Sequence, residues 1–280
     1  MDIRVNAEIS ELDSDTLFSL TGVHEKTFRW IASIVRRDMC SGHTKGGRPF
    51  RIMPITRAFI TLFYLRTGLS MGTIAILFGI SKGAVCKVYQ KTVRALICNG
   101  YCSLLGRRSM GGDRAYIVDA TEVPINRPLR GQREWYSGKQ KCHTAKTQII
   151  MDELTGLVVD AQFAKGSEHD WSLFRRSCRP IGRDVVIIAD KGYQGLTKLF
   201  PNGELPIKKS KKHPLDADDI EHNKTVGAVR IVIEHVNGWL KRFKAVHDRY
   251  MGRAKNFWKA MLFVIGLYNS YEVTFVKRET

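Results

Sequence analysis

Three carboxylates in the sequence have the residue types and the setting that a metal-dependent reaction needs. Asp119 lies within the alternating segment "AYIVDATEVPI", Asp190 follows the apolar residues 185–189, and Glu234 is the only acid in "RIVIEHVNGWLKRF". Carboxylate oxygens are the hard ligands that Mg²⁺ and Mn²⁺ prefer. Two such ions about 4 Å apart can activate the attacking oxygen and stabilise the departing one when a phosphodiester bond is cleaved. We therefore predict that these three acids are catalytic and bind metal.

The order of the predicted elements indicates how acids so distant in the chain could meet. Residues 115–125 alternate as a strand does, and residues 142–166 resemble two further strands joined by a turn. Residues 185–189 are typical of a buried strand, and residues 230–243 have the spacing of an amphipathic helix. In a ribonuclease H-like fold the first and fourth strands are neighbours and the late helix packs across their end. We predict this α/β fold, a mixed sheet flanked by helices, preceded by an all-α region.

Glu234 also has a simpler interpretation. It follows Arg230 by four residues, so the two side chains could form an ordinary ion pair on a solvated helix face. The convergence with Asp119 and Asp190 favours the catalytic interpretation, because three close carboxylates without a cation would repel one another.

Residues 71–90 have the spacing of a helix-turn-helix motif. Ala75 is small where two helices must cross closely, and Gly79 can adopt the positive φ that a tight turn needs. Ser81 is placed to cap the second helix, whose exposed start could reach DNA phosphates or base edges. The alternative is a helical hairpin that binds no nucleic acid. The residues predicted to contact DNA here are Ser81, Lys82 and Lys87.

The charge of the chain favours DNA as the partner. The 280 residues include 45 Lys and Arg against 27 Asp and Glu, a net charge of +18 that repels itself unless a polyanion is bound. No membrane partner is expected, because the most apolar segment, "FWKAMLFVIGLYNSYEV", is interrupted by Lys259 and is shorter than the roughly 20 residues that a bilayer requires. The six cysteines form no CxxC pair, so neither a zinc finger nor a disulfide framework is expected.

Six segments of the chain resemble successive blocks of DDE-superfamily transposases, in the insertion-sequence group related to PIF/Harbinger elements. They are "VDATEVPINRP", "YSGKQKCHTAKTQIIMD", "GSEHDWSLF", "ADKGYQGL", "PIKKSKK" and "NKTVGAVRIVIEHVNGWLKRFK". The blocks cover about residues 117–269, and the helix-turn-helix region resembles the domain that precedes them in that group. The resemblance implies a ribonuclease H-like catalytic domain, Mg²⁺-dependent cleavage at the ends of a mobile element, and joining of the 3′-OH ends to target DNA. It maps the acidic triad onto Asp119, Asp190 and Glu234.

Many members of that group also carry a tyrosine, arginine, glutamate and lysine signature. Arg230, Glu234 and Lys241 fit its spacing, whereas the tyrosine position is Gly227. Arg230 and Lys241 would share one stripe of the helix with Glu234, so we predict that they contact DNA phosphates beside the metal.

Other blocks suggest further DNA contacts. His169 could orient a phosphate, or it could simply stand at the start of a helix that Ser167 and Asp170 cap together. Tyr193 could stack or hydrogen-bond beside the active site, or it could be an ordinary packed residue. A basic, aromatic patch suits the DNA backbone but is equally typical of a solvated hairpin: Tyr136, Lys139 and Lys141. Four lysines could form a phosphate track or a nuclear import signal: Lys208, Lys209, Lys211 and Lys212.

Taken as a whole, the sequence predicts a DNA transposase in three parts. Residues 1–98 form a helical region with the helix-turn-helix, residues 99–114 form a linker, and residues 115–280 form the catalytic domain. The predicted partners are the terminal inverted repeats and the target site in double-stranded DNA, bound by at least a homodimer. The predicted location is the cytoplasm, with the nucleoid, in a bacterium, or the nucleus in a eukaryote. The alternatives are a regulatory or domesticated protein that binds DNA without cleaving it, and a metal-dependent nuclease outside transposition.

Overall fold

The structure is a computed structural model that describes residues 8–41, 51–111, 114–209 and 214–274. The chain divides into two compact units. A helical unit comprises the residues up to Ser103 together with those from Leu240 onward, and a sheet unit comprises the residues from Leu104 to Trp239. The segment "TKGGRPF", residues 44–50, which its two glycines and proline predict to be a break between helices, lies outside the described residues.

The first part of the helical unit contains the helices predicted from apolar spacing. Asp13 begins the first of them by accepting a hydrogen bond from the Thr16 backbone N–H at 2.8 Å, and Pro54 begins the third, at a position where no backbone N–H is needed. Their buried faces form a core that includes Phe28, Ile31 and Leu62. The bounds are α1, Ser14–Thr21; α2, Glu25–Ser41; α3, Pro54–Thr67; α4, Met71–Leu77; and α5, Lys82–Cys98.

Helices α4 and α5 form the predicted helix-turn-helix. Their axes are bent by 107° across the connecting turn, in which Gly79 has the predicted positive φ of 52°. Ser81 caps α5 by accepting a hydrogen bond from the Ala84 backbone N–H at 3.1 Å. Ala75 and Val85 are buried, as close crossing of the two helices requires. In the described ranges no single helix is long and apolar enough to cross a membrane, and only the bent pair α4 and α5 meets such a criterion by length and composition.

The sheet unit contains the predicted ribonuclease H-like strand order. The strand β1 pairs antiparallel with β3 on one side and parallel with β5 on the other, and β4 continues the meander beyond β3. The first strand and the strand after the helix are therefore neighbours, as predicted. The elements are β1, Ala115–Pro124; α6, Gln132–Trp135; β2, Tyr136–Ser137; β3, Cys142–Asp152; β4, Val158–Lys165; α7, Asp170–Ser177; β5, Val186–Ile188; and α8, Leu196–Leu199.

A hydrophobic core lies on the face of the sheet that packs against α7. It includes Tyr116, Val118, Ile150 and Phe174, all fully or almost fully buried. The short strand expected after β5 is reduced to a single parallel bridge between Ile188 and Glu204 in the part of the chain that the structure describes.

Two long helices complete the chain, and the first of them corrects a predicted boundary. Helix α9, Ala217–Leu240, ends three residues before the predicted end at residue 243, and a turn follows it. Helix α10, Phe257–Thr274, is the predicted buried helix. The predicted catalytic domain includes α10, but α10 packs against α5 of the helical unit, because it is apolar on nearly all sides and must be covered.

Candidate active site

The pairing of β1 with β5 brings two of the predicted acids to one end of the sheet. The strands are parallel with Ile117 opposite Ile188, so Asp119 and Asp190 both come two residues beyond this pair. Asp190 lies in the turn after β5, where its Oδ1 accepts a hydrogen bond from the Gly192 backbone N–H at 2.8 Å. The parallel register therefore explains how carboxylates from separate parts of the sequence become neighbours.

Helix α9 holds the Asp119 carboxylate with two side chains. The Asn237 amide donates a hydrogen bond to Asp119 Oδ2 at 2.7 Å, and the Arg230 guanidinium lies 3.9 Å from Asp119 Oδ1. Asn237 is only 7% exposed, and its Oδ1 has no hydrogen-bond partner among the described residues. Strand β1 and helix α9 are thus fixed to each other through the first predicted catalytic acid.

Glu234 lies on the same stripe of α9 as these two side chains. It is four residues after Arg230 and three before Asn237, and such neighbours share one helix face. Arg230 points to Asp119, and no ion pair between Arg230 and Glu234 occurs in the described part of the chain. Glu234 itself is exposed. Within the described ranges, no three His, Cys, Asp or Glu side chains are grouped closely enough to hold a metal ion, so the structure does not place Glu234 with the other two acids.

The electrostatics at Asp119 favour a bound cation. Burial raises the pKa of this carboxyl to about 6. The Ala120 backbone N–H and the Arg230 guanidinium act to lower that pKa, whereas the charges of Asp190 and Asp170 act to raise it. A divalent cation beside Asp119 would offset both the burial and the repulsion. Asp119 and Asp190, which supply oxygen atoms only, therefore fit a hard metal ion such as Mg²⁺ or Mn²⁺.

With this geometry established, the chain can be compared with known proteins. Residues 110–269, more than half of the chain, match a family described as "Transposase DDE domain", and residues 51–102 match "Helix-turn-helix of DDE superfamily endonuclease". The chain belongs to the DDE transposase family. The helix-turn-helix match spans α4 and α5, so it confirms the motif predicted from the sequence.

Two relatives span most of the chain. It is 33% identical over 258 residues, 91% of its length and 93% of the relative, to a protein of Microchaete diplosiphon described as "Probable transposase for insertion sequence element IS702". It is 27% identical over 234 residues, 81% of its length and 84% of the relative, to a protein of Streptomyces albus G described as "Putative transposase for insertion sequence element IS112". These matches confirm the predicted resemblance to insertion-sequence transposases.

Solved structures with low similarity include two complexes of Mos1. "Crystal structure of the Mos1 mariner paired end complex with Mn" has a TM-score of 0.20 and 12% identity, covering 86% of this chain and 87% of that one. "Mos1 transposase paired-end complex with left transposon end" has a TM-score of 0.18 and 14% identity, covering 84% and 81%. The family assignment rests on the sequence matches alone.

A buried polar network lies beside the acids of this DDE transposase domain and was not predicted from the sequence. Lys146 on β3 is 4% exposed, and its ammonium donates to Asp170 Oδ1 at 2.6 Å and to the Glu168 carbonyl at 2.5 Å. Glu122 Oε1 lies 3.4 Å from the same ammonium. A signal was available: polar side chains recur with period two along β3, at Thr144, Lys146 and Gln148.

Tyr193, predicted either to stack or hydrogen-bond beside the active site or to be an ordinary packed residue, is packed in the core. Tyr193 is 1% exposed, its ring packs against Phe174, and its hydroxyl accepts a hydrogen bond from the Gln148 amide at 3.0 Å. The packing alternative for Tyr193 is therefore confirmed. Burial and the neighbouring carboxylates, Asp170 above all, raise the pKa of its hydroxyl, so the group stays protonated. The turn after Asp190 folds this side chain into the core instead of outward.

The loop before α7 is held more firmly than the sequence suggested. The predicted capping box is wrong, because Ser167 donates to the Glu134 carbonyl at 2.6 Å and Asp170 binds Lys146. At Gly166 a Cβ atom would lie 2.0 Å from Thr144 Oγ1 and 2.8 Å from the Trp135 carbonyl oxygen, so only glycine fits. His169 is exposed at the N-cap of α7 and makes no capping bond. Its phosphate contact stays a prediction.

The remaining predicted contact residues are accessible but untested by the structure. Tyr136, Lys139 and Lys141 are exposed around the turn between β2 and β3, separate from the described contacts of Asp119. Lys241 is exposed just beyond the end of α9, so it does not continue the helical stripe of Glu234 as predicted. Lys208 and Lys209 are exposed, whereas Lys211 and Lys212 lie outside the described residues.

The helix-turn-helix residues fit their predicted positions. Ser81, Lys82 and Lys87 are exposed at the start of α5. The exposed side of α5 continues further than the prediction, through Lys91 and Arg94. At Gly227, the position of the signature tyrosine, a Cβ atom would meet nothing within 4 Å, so lack of space does not explain the glycine.

Proposed function

We propose that the chain is an insertion-sequence transposase that binds the ends of its element, cleaves DNA phosphodiester bonds and joins the 3′-OH ends to target DNA. The observation that carries this proposal is the placement of Asp119 and Asp190 at matched positions of paired parallel strands, against the helix that bears Glu234. Membership of the DDE transposase family supports the same chemistry.

Asp119 and Asp190 would hold divalent cations, two Mg²⁺ or Mn²⁺ ions, and Glu234 would join their ligands. Bound divalent ions would polarise the attacking and departing oxygens of the phosphodiester. Asn237 orients the Asp119 carboxylate, and each carboxylate oxygen keeps a lone pair for metal while it accepts a hydrogen bond. Arg230, whose guanidinium lies 3.9 Å from Asp119 Oδ1, would contact a DNA phosphate beside this carboxylate.

The other parts of the chain supply DNA binding. Lys82 and Lys87 at the start of α5 would contact the terminal inverted repeats, because the first residues of a recognition helix enter the major groove. Transposition holds two DNA ends at once, so we propose at least a dimer on DNA, which light scattering of the complex would measure. We place the protein with the DNA of its host, in the cytoplasm of a bacterium, and imaging of a fluorescent fusion would test this location.

Cleavage of element-end DNA with and without Mg²⁺ tests the function. Asp190→Asn is expected to abolish cutting, because it removes a charged metal ligand. The matched control is Asp184→Asn, an exposed acid shortly before β5, which should cut as the wild type does. Undiminished cutting by Asp190→Asn would refute the assignment of the acids.

A strand-joining assay on the same substrate separates the alternatives. Joining of 3′-OH ends to target DNA supports the transposase. Cutting without joining would indicate a nuclease outside transposition, and binding without cutting would indicate a regulator.

A further inference from the structure

A groove of about 860 Å³ runs along helix α5 within the helical unit. One wall is the face of α5 that carries Lys82, Cys86, Gln90 and Arg94, and the opposite wall is formed by residues 250–259. The residues that line the groove include Lys82, Lys91, Arg94, Arg253, Trp258 and Lys259.

The groove is strongly basic. Lys91 and Arg94 line the α5 wall, Arg253 and Lys259 line the other wall, and no Asp or Glu of the described residues lines the groove. None of these four makes an ion pair with an acid in the part of the chain that the structure describes. Like charges in one concave surface repel one another, and a polyanion would relieve that repulsion.

The groove is also aromatic. Tyr64 and Tyr89 pack together at its base with ring centroids 4.9 Å apart, and Tyr250 lies beside them. Trp258 stands at the rim with 39% of its surface exposed, and Lys259 Nζ lies 5.4 Å from the centre of its ring. Aromatic rings interleaved with cations are the usual platform for single-stranded nucleic acid, because every base can stack and every phosphate can pair.

We infer that this groove binds single-stranded DNA, with phosphates on Arg94 and Arg253 and a base stacked on Trp258. Its volume is in the range that takes a ligand of a few linked rings, so a duplex does not enter it. Lys87 does not line the groove and remains free to contact duplex DNA. The inference rests on the proposed action on DNA, and it adds a second kind of DNA contact to the helix-turn-helix.

Fluorescence anisotropy with the full chain tests the inference, using a short oligothymidylate and an abasic strand of equal length. The wild type is expected to bind the oligothymidylate about tenfold more tightly, because stacking needs a base. Trp258→Ala should abolish this preference, and Trp258→Phe should retain most of it. The matched control is Trp30→Ala, since Trp30 is a 48% exposed tryptophan of the same unit that lies outside the groove.

A second pair of variants tests the phosphate contact without touching an aromatic ring. Arg253→Gln is expected to reduce the slope of log binding constant against log salt concentration for the oligothymidylate by about 0.7, the loss of roughly one phosphate contact to a single strand. Lys255→Gln is the control, because Lys255 is an exposed cation of the same segment that does not line the groove.

Equal binding of the two strands by the wild type would overturn the inference, as would unchanged binding by Trp258→Ala and Arg253→Gln. Cleavage of element ends measured on the same variants keeps the two proposals apart. If cleavage is intact while binding of the single strand does not depend on Trp258, the groove inference is wrong and the transposase proposal holds. If binding of the single strand depends on Trp258 but neither the wild type nor any variant cleaves element ends, the transposase proposal is wrong and the groove inference holds.

Discussion

Asn237 offers the sharpest test of how the active site is built. Its amide donates a 2.7 Å hydrogen bond to Asp119 Oδ2 in a largely buried setting. Asn237→Leu removes that donor while keeping the number and branching of the side-chain heavy atoms. The substitution also removes a buried amide oxygen that has no partner among the described residues, so the fold is expected to survive.

The expected loss can be worked out from this contact. A hydrogen bond to a charged group contributes about 1.5–3 kcal/mol, which corresponds to roughly tenfold to a hundredfold in an equilibrium constant. Metal binding requires an ionised and correctly oriented Asp119, and Asn237 favours both conditions. The dissociation constant for Mn²⁺ should therefore rise by about tenfold to a hundredfold, the range typical of lost contacts to a metal ligand.

Electron paramagnetic resonance of free Mn²⁺ measures the dissociation constant directly, without reliance on activity. Cleavage by Asn237→Leu should also recover as Mn²⁺ is raised, because binding and not chemistry is impaired. The control is Gly238→Ala, the next residue on α9, where a Cβ atom meets nothing within 4 Å. If Asn237→Leu binds Mn²⁺ as tightly as this control, Asn237 does not position the metal ligand and the reasoning is wrong.

Three further predictions concern stability. Because the pKa of Asp119 is raised, the folded state holds a proton between about pH 4 and pH 6 that the unfolded state releases. Without added metal, the free energy of unfolding should therefore fall by up to about 3 kcal/mol as pH rises through that window. Thermal melts of Asp119→Asn should lack this fall. Gly166→Ala should lower the free energy of unfolding by about 1–3 kcal/mol because of its clash, whereas Gly138→Ala, with open space around its Cβ, should not. Lys146→Met should lower the free energy of unfolding by about 3–5 kcal/mol, because it leaves the partly buried Asp170 and Glu122 without their cation. Adding Asp170→Asn should restore part of this loss in urea unfolding, and no recovery would contradict the pairing.

The features that could be predicted from the sequence depend on local periodicity. Period-two alternation and an apolar run identified β1 and β5, and the order of elements predicted that they are neighbours. Gly79 and Ser81 identified the helix-turn-helix, because at that spacing Gly79 provides the positive φ of the turn and Ser81 caps the following helix. The family blocks added the identity of the acids, which periodicity alone does not give.

The features that were missed depend on tertiary contacts. The period-two polar residues of β3 place Lys146 on one face with Thr144 and Gln148 but do not show that this face is buried, because only partners from other elements make the burial of a lysine tolerable. Tyr193 follows a glycine turn typical of an exposed loop, and its burial depends on Phe174 and Gln148 from distant elements. Asn237 has no local feature that distinguishes it from a surface asparagine.

The charged pairing between β1 and β3 has a consequence for how the sheet assembles. Glu122 lies opposite Lys146 and Asp119 lies opposite Ile149 in the same antiparallel ladder. If β3 slipped by one residue, Lys146 would turn to the other face of the sheet, away from Glu122 and Asp170, at the cost of an unpaired buried charge. Misaligned sheets are thereby made unfavourable during folding. Lys146, which touches neither Asp119 nor Asp190, thus selects the alignment in which Ile149 stands opposite Asp119.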